Sequence, residues 1–72
     1  MTLNELDLNK TGFIKDLRCN ENVKRRLLDL GLIEGTNITP IFVSPSGDPT
    51  AFEVRGSVIA IRSEDTKLIT IF

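Results

Sequence analysis

The 72-residue chain has no histidine, no tryptophan and no tyrosine, and only one cysteine, Cys19. Without histidine it lacks the commonest acid–base residue and the usual nitrogen ligand of zinc, and one cysteine alone makes no zinc site. A lone cysteine forms no internal disulfide, which fits a reducing cytosol and predicts a cytoplasmic protein. No apolar run approaches the roughly 18 residues of a membrane-spanning helix, so no membrane insertion is expected. The opening Met1–Glu5 carries acid and no basic region, and is not expected to be a signal peptide. Basic excess is missing too: nine Lys and Arg face ten Asp and Glu, for a net charge of −1. Proteins that neutralise many phosphates usually show the opposite balance, so no nucleic-acid partner is expected.

Catalytic arrangements are equally sparse. No Ser, Thr or Cys has a base partner for nucleophilic work. Asp48, Glu53, Glu64 and Asp65 could approach a hard cation, but no calcium-loop spacing is present, and solvated surface acids are the simpler reading. The adjacent Glu64-Asp65 suits the first turn of a helix better than a pair of catalytic carboxylates. Gly47 is solitary and makes no phosphate cradle. Cys19, beside a helix start, reads as a small hydrophobe. The chain is therefore expected to use no catalytic residue, no cofactor and no specific metal site, and to act as a binding protein.

What is present reads as one small domain over residues 1–72. Thr2 and Glu5 have the spacing of a capping box around a single helical turn, with Leu3 and Leu6 inward. Asn9 falls in a polar turn. A first strand runs from Gly12 to Leu17, with Phe13, Lys15 and Leu17 on one face and Ile14 and Asp16 on the other. The segment alone leaves open which face is buried. Asn20 is placed to cap a helix from about Glu21 to Leu30, whose stripe is Val23, Leu27 and Leu30. Gly31 at the left-handed position and Leu32 packing back on Leu27 make a Schellman stop. Glu21–Arg25 has the favourable order for a surface pair.

Glu34-Gly35 predicts a type II turn. Thr36–Val43 is the second strand, and Pro40 within it implies an edge position or a bulge. Ser44–Pro49 is a loop. Thr50–Arg55 follows as a strand with Phe52 and Val54 inward. Gly56-Ser57 is expected as the two-residue hairpin turn to a fourth strand, Val58–Arg62. Ser63 is placed to cap a short helical turn, and Leu68–Phe72 is the fifth strand. Five short strands with one short helix inserted between the first and second predict a mainly β fold, a small, partly open, antiparallel barrel.

The helix carries the one feature that points to a partner. At 100° per residue Leu28 falls off the stripe, between Lys24 and Arg25 in projection. Either another segment, the N-terminal turn or Leu32-Ile33, covers Leu28, or it belongs to a contact surface. Likewise Lys24, Arg25 and Arg26 are either the solvated back of a helix or part of that surface. Lys24, Arg25 and Leu28 are the candidate partner-binding residues.

From Arg26-Leu27-Leu28-Asp29-Leu30-Gly31-Leu32, followed by Glu34-Gly35-Thr36, the chain resembles the FeoA family of small bacterial proteins of ferrous iron transport. The likeness continues through Pro45-Ser46-Gly47-Asp48-Pro49, Val54-Arg55-Gly56 and Ile59-Ala60-Ile61-Arg62, and includes the opening Thr2-Leu3-Asn4-Glu5-Leu6. Each piece is short; their order and spacing carry the resemblance. It departs at Glu34, where proline is common, at Asn9, which replaces a common turn glycine, and at Ser57-Val58, which replaces a larger, more polar pair. The resemblance implies an SH3-like barrel and an accessory role beside FeoB, a membrane Fe(II) transporter with a cytosolic GTP-binding domain. Two alternatives share the barrel. One is the SH3-like C-terminal domain of iron-dependent repressors, which would accompany a DNA-binding half. The other is a peptide-binding SH3 module, whose aromatic-lined groove has no Tyr or Trp here to build it.

Overall fold

The computed structural model describes residues 1–72. After a 3₁₀ turn at Leu3–Glu5 the elements are β1 (Gly12–Leu17), α1 (Glu21–Asp29), β2 (Asn37–Val43), β3 (Thr50–Val54), β4 (Ser57–Ile61), α2 (Ser63–Thr66) and β5 (Ile69–Ile71). The five strands form one antiparallel sheet in the order β4-β3-β2-β1-β5. β1 joins its two halves: Gly12 and Phe13 pair with β2, and Ile14 to Leu17 pair with β5. The sheet curls at this strand around a core of Leu3, Ile14, Leu17, Leu27, Leu32, Ile38, Phe52, Val54, Ile61, Ile69 and Ile71, with Cys19 at its margin. The mainly β, five-stranded expectation holds, and strand and helix ends move by one residue.

Strict alternation fails in β1. A register shift between Ile14 and Asp16 marks a bulge, so Ile14 and Leu17, three residues apart, both turn inward. An inserted residue exchanges the faces of everything after it. Phe13, Lys15 and Asp16 are therefore outside, and Lys15 Nζ lies 5.9 Å over the Phe72 ring. The predicted grouping of Phe13, Lys15 and Leu17 is thus corrected.

Pro40 sits on a second bulge, between its pairing with Phe52 and that of Phe42 with Ala51. β2 is central in the sheet, but β1 starts opposite Ile38, so no strand runs along that side of Pro40. The missing N–H costs nothing there. The Pro40 carbonyl instead accepts the Asn9 N–H at 2.7 Å, from a turn in which Asn9 holds φ 65°.

The β3–β4 hairpin turns one residue earlier than expected. Val54 pairs with Ser57, so the loop is Arg55-Gly56, with φ 53° and 82°. Positive φ at both central residues is the type I′ turn, whose twist matches its strands. Glycine takes the second position without strain, and the arginine takes the first. At α2 the cap is Arg62 and not Ser63, whose N–H donates to Asp48 Oδ1 at 2.8 Å. No Glu21–Arg25 ion pair forms; the ion pairs are Arg18–Asp16 and those of Arg62 with Glu64 and Asp65.

The N-terminal turn is tied down at both ends. The Glu5 carboxylate accepts the Thr2 N–H at 2.8 Å and the Thr2 hydroxyl at 2.9 Å. Met1 receives the Ile71 N–H at 2.9 Å, and Thr2 bridges Thr70. Burial of Leu3 anchors the turn on the core.

Candidate functional site

Helix α1 is specified at both ends. The Asn20 side chain accepts the Val23 N–H at 3.0 Å, satisfying one of the free donors of the first turn. At the other end Leu32 N–H donates to the Leu27 carbonyl at 3.0 Å and Gly31 N–H to the Leu28 carbonyl at 3.0 Å, with Gly31 at φ 97°. These are the two bonds of the Schellman motif. The reversal drives Leu32 into the core beside Leu27, both wholly buried.

The core stripe is narrower than the sequence predicts. Val23 is half-buried and Leu30, expected inside, is 46% exposed. The chain reverses at Gly31, and Leu32 takes the core place that Leu30 would otherwise fill. Leu28 is 41% exposed, so neither the N-terminal turn nor Leu32-Ile33 covers it. It borders a shallow cavity of about 140 Å³ whose apolar lining is Ile14, Leu17, Leu28 and Leu32. Lys24 lines the same cavity, with Lys15, Asp16 and Glu34. Arg25 is exposed on the helix and does not line it. The structure thus joins Lys24 to Leu28, leaves Arg25 on the flank, and makes the rim mixed in charge. Lys15, Asp16 and Glu34 escape a reading of the helix alone, because the bulge in β1 and the turn after α1 bring them there.

A larger cavity, about 410 Å³, lies between the N-terminal turn, the end of β2, the Ser44–Pro49 loop and α2. Leu3, Leu6, Leu8, Pro40, Val43 and Phe52 supply its apolar lining, and Asn4, Asp7, Thr50, Ser63 and Thr66 its polar part. The sequence marks the loop at Gly47 and the turn bearing Leu3 and Leu6, but not the cavity itself, whose lining converges from four separate stretches of chain, 3–8, 40–43, 47–52 and 63–66.

The four charged side chains on the smaller cavity, Lys15, Asp16, Lys24 and Glu34, form no ion pair with one another, and the larger cavity holds a single acid, Asp7. Cys19 Sγ is buried and donates to the Asp65 carbonyl at 3.8 Å. Burial first, and then the Asp65 charge, push its thiol above the ordinary 9.0, opposite to what a nucleophile needs. Asp65 Oδ2 is buried without a hydrogen bond, and the Arg62 guanidinium 3.8 Å away balances its charge. No three His, Cys, Asp or Glu side chains come together as a metal centre would require.

The FeoA domain family model matches residues 1–71. The chain belongs to the FeoA family. A Campylobacter jejuni Fe(2+) transport protein A is 32% identical over 71 residues, covering 99% of this chain and 96% of that one. The solution structure of FeoA from Chlorobium tepidum superimposes with a TM-score of 0.94 at 30% identity, over 99% of this chain and 68% of that one. FeoA from Stenotrophomonas maltophilia, crystallised with zinc and described as an SH3 domain protein, gives a TM-score of 0.88 at 26% identity, over 100% and 89%. The SH3-like FeoA fold accounts for the curled five-stranded sheet and for the helix inserted between β1 and β2.

Proposed function

We propose that this FeoA protein is a cytosolic accessory factor of bacterial ferrous iron uptake. In this reading it binds the GTP-binding domain of a FeoB-type membrane transporter through the α1 face bearing Lys24, Arg25 and Leu28, and catalyses nothing itself. Family membership supports the iron-transport role. The observation that supports the surface is Leu28: a large apolar side chain, 41% exposed, beside Lys24 and above an apolar floor. An apolar centre with charged residues around it has the composition of a protein contact patch, in which the centre contributes affinity and the rim steers encounter. No helix is long and apolar enough to cross a membrane, so the transporter, and not this chain, would supply the bilayer passage. The net charge of −1 favours a protein partner over nucleic acid.

The deciding experiment is titration of the purified GTP-binding domain with the wild type and with a Lys24→Glu/Arg25→Glu double variant. Weaker binding by a variant that melts like the parent supports the face. Unchanged affinity moves the contact to the Pro45–Pro49 loop and the larger cavity beside it. No binding by the wild type removes the partner.

A further inference from the structure

The sheet has two edges, and only one is covered. Along β5 the Met1 carbonyl accepts from Ile71 and Thr2 bridges Thr70. β4 is the last strand on the other side, and no residue from Ser57 to Ile61 makes a backbone hydrogen bond outside its ladder with β3. The closing pair of a two-residue hairpin, here Val54 and Ser57, exchanges hydrogen bonds, and bonded pairs then alternate. Phe52–Ile59 and Thr50–Ile61 are the next bonded pairs. Val58 and Ala60 therefore turn their N–H and C=O groups outward, away from β3.

Natural edges are usually blunted by proline, a charge within the strand, a bulge or a covering segment. β4 has none of these. Its sequence Ser57-Val58-Ile59-Ala60-Ile61 is uncharged, its register with β3 is unbroken, and Val58 is 59% exposed. We infer that β4 pairs antiparallel with β4 of a second copy of this chain, about a two-fold axis at Ile59, with Val58 opposite Ala60 of the second copy. This register uses both outward-facing residues twice and makes about four backbone hydrogen bonds. It also suits the charges. The two Glu53 carboxylates lie three strands and two residues apart, about 16 Å at sheet spacing, beyond the ~8 Å screening length. The Arg62–Glu64–Asp65 cluster, net −1, falls at the end of the sheet where the second copy carries its Arg55 turn. With a chain charge of −1, general repulsion between copies is small. A five-residue strand offers a small interface, so the dimer is weak and reversible.

Sedimentation equilibrium from micromolar to millimolar concentration tests the inference. The wild type should move from 8.0 kDa toward twice that mass. Ala60→Pro removes an outward N–H without touching the β3–β4 ladder, and Ala60→Lys brings two ammonium groups diagonally together across the axis. Both should stay monomeric, and Ala60→Lys, at an exposed site, should melt like the parent. Amide shifts of the wild type should change with concentration at Val58 and Ala60. A wild type that remains monomeric at millimolar concentration overturns the inference, as does a dimer that Ala60→Lys leaves intact or shifts that map to another face.

Discussion

The Arg55 side chain lies along Gly31, so close that a Cβ built on Gly31 would stand 2.7 Å from Arg55 Cδ. This contact docks the β3–β4 turn on the end of α1. It also sets a cation beside the helix C-terminus, where the macrodipole favours positive charge. Two of the short motifs by which the chain resembles its family, the one ending at Gly31-Leu32 and the Val54-Arg55-Gly56 turn, thus touch each other.

Gly31 should therefore tolerate a side chain less well than Gly35. Both hold positive φ, 97° and 87°, but nothing lies within 4 Å of a Cβ at Gly35. Left-handed strain alone costs about 1–2 kcal/mol. Chemical denaturation should show Gly31→Ala costing more than Gly35→Ala, with the difference disappearing in an Arg55→Ala background. An equal cost for the two glycines in the parent would mean that Arg55 does not crowd the site.

Leu27→Ala should cost about 2–5 kcal/mol, a large part of what holds so small a domain together. Leu27 is wholly buried and is the residue against which the Schellman reversal seats Leu32. Leu30→Ala, at the exposed end of the same helix, should change the melting temperature little. Similar melting of the Leu27→Ala variant and the parent would place the core elsewhere.

The Thr2 N–H, and after it the Thr2 hydroxyl, hold the Glu5 carboxyl below its ordinary value of 4.5. A depressed folded value means that the turn's contribution is present above the unfolded pKa and is lost as pH falls through the folded one. Thr2→Val removes the hydroxyl and keeps the N–H. NMR titration should show Glu5 rising part of the way to 4.5 in that variant. A larger rise than complete loss of the hydroxyl bond can explain would mean that the whole turn had opened.

Cys19 should be slow to react with a thiol reagent in the folded protein, because burial and the Asp65 charge disfavour the thiolate. Ellman's reagent at mildly alkaline pH should label it far faster in denaturant. Asp65→Asn should speed labelling of the folded state by easing thiolate formation. Rapid labelling of the native parent would show the site to be open.

On the proposed α1 contact face, partner binding should weaken as salt rises, because Lys24 and Arg25 stand there at the edge of solvent. The loss caused by the Lys24→Glu/Arg25→Glu change should shrink in parallel. Leu28→Ala should instead reduce affinity by a similar factor at all salt concentrations, since its contribution is apolar burial. A salt-independent loss from the charge reversal would assign its effect to local structure.

Local signals in the sequence settle the elements whose causes are local. Asn20 and the Gly31-Leu32 pair delimit α1, Thr2 and Glu5 fold the opening turn, and the glycine after Glu34 makes the next one. Each involves residues a few positions apart, close enough for side chain and backbone to decide alone. Family membership is legible for a related reason, since it is carried by short motifs in a fixed order. The tertiary structure decides what depends on partners far along the chain. The bulge at Lys15 turns Leu17 inward because β1 must serve β2 with one half and β5 with the other. The hairpin closes at Arg55-Gly56 because ladder register, and not glycine position alone, sets the turn. Leu28 was visible as off-stripe, yet only the packed molecule could show it uncovered, and only the packed molecule brings Lys15, Asp16 and Glu34 around it.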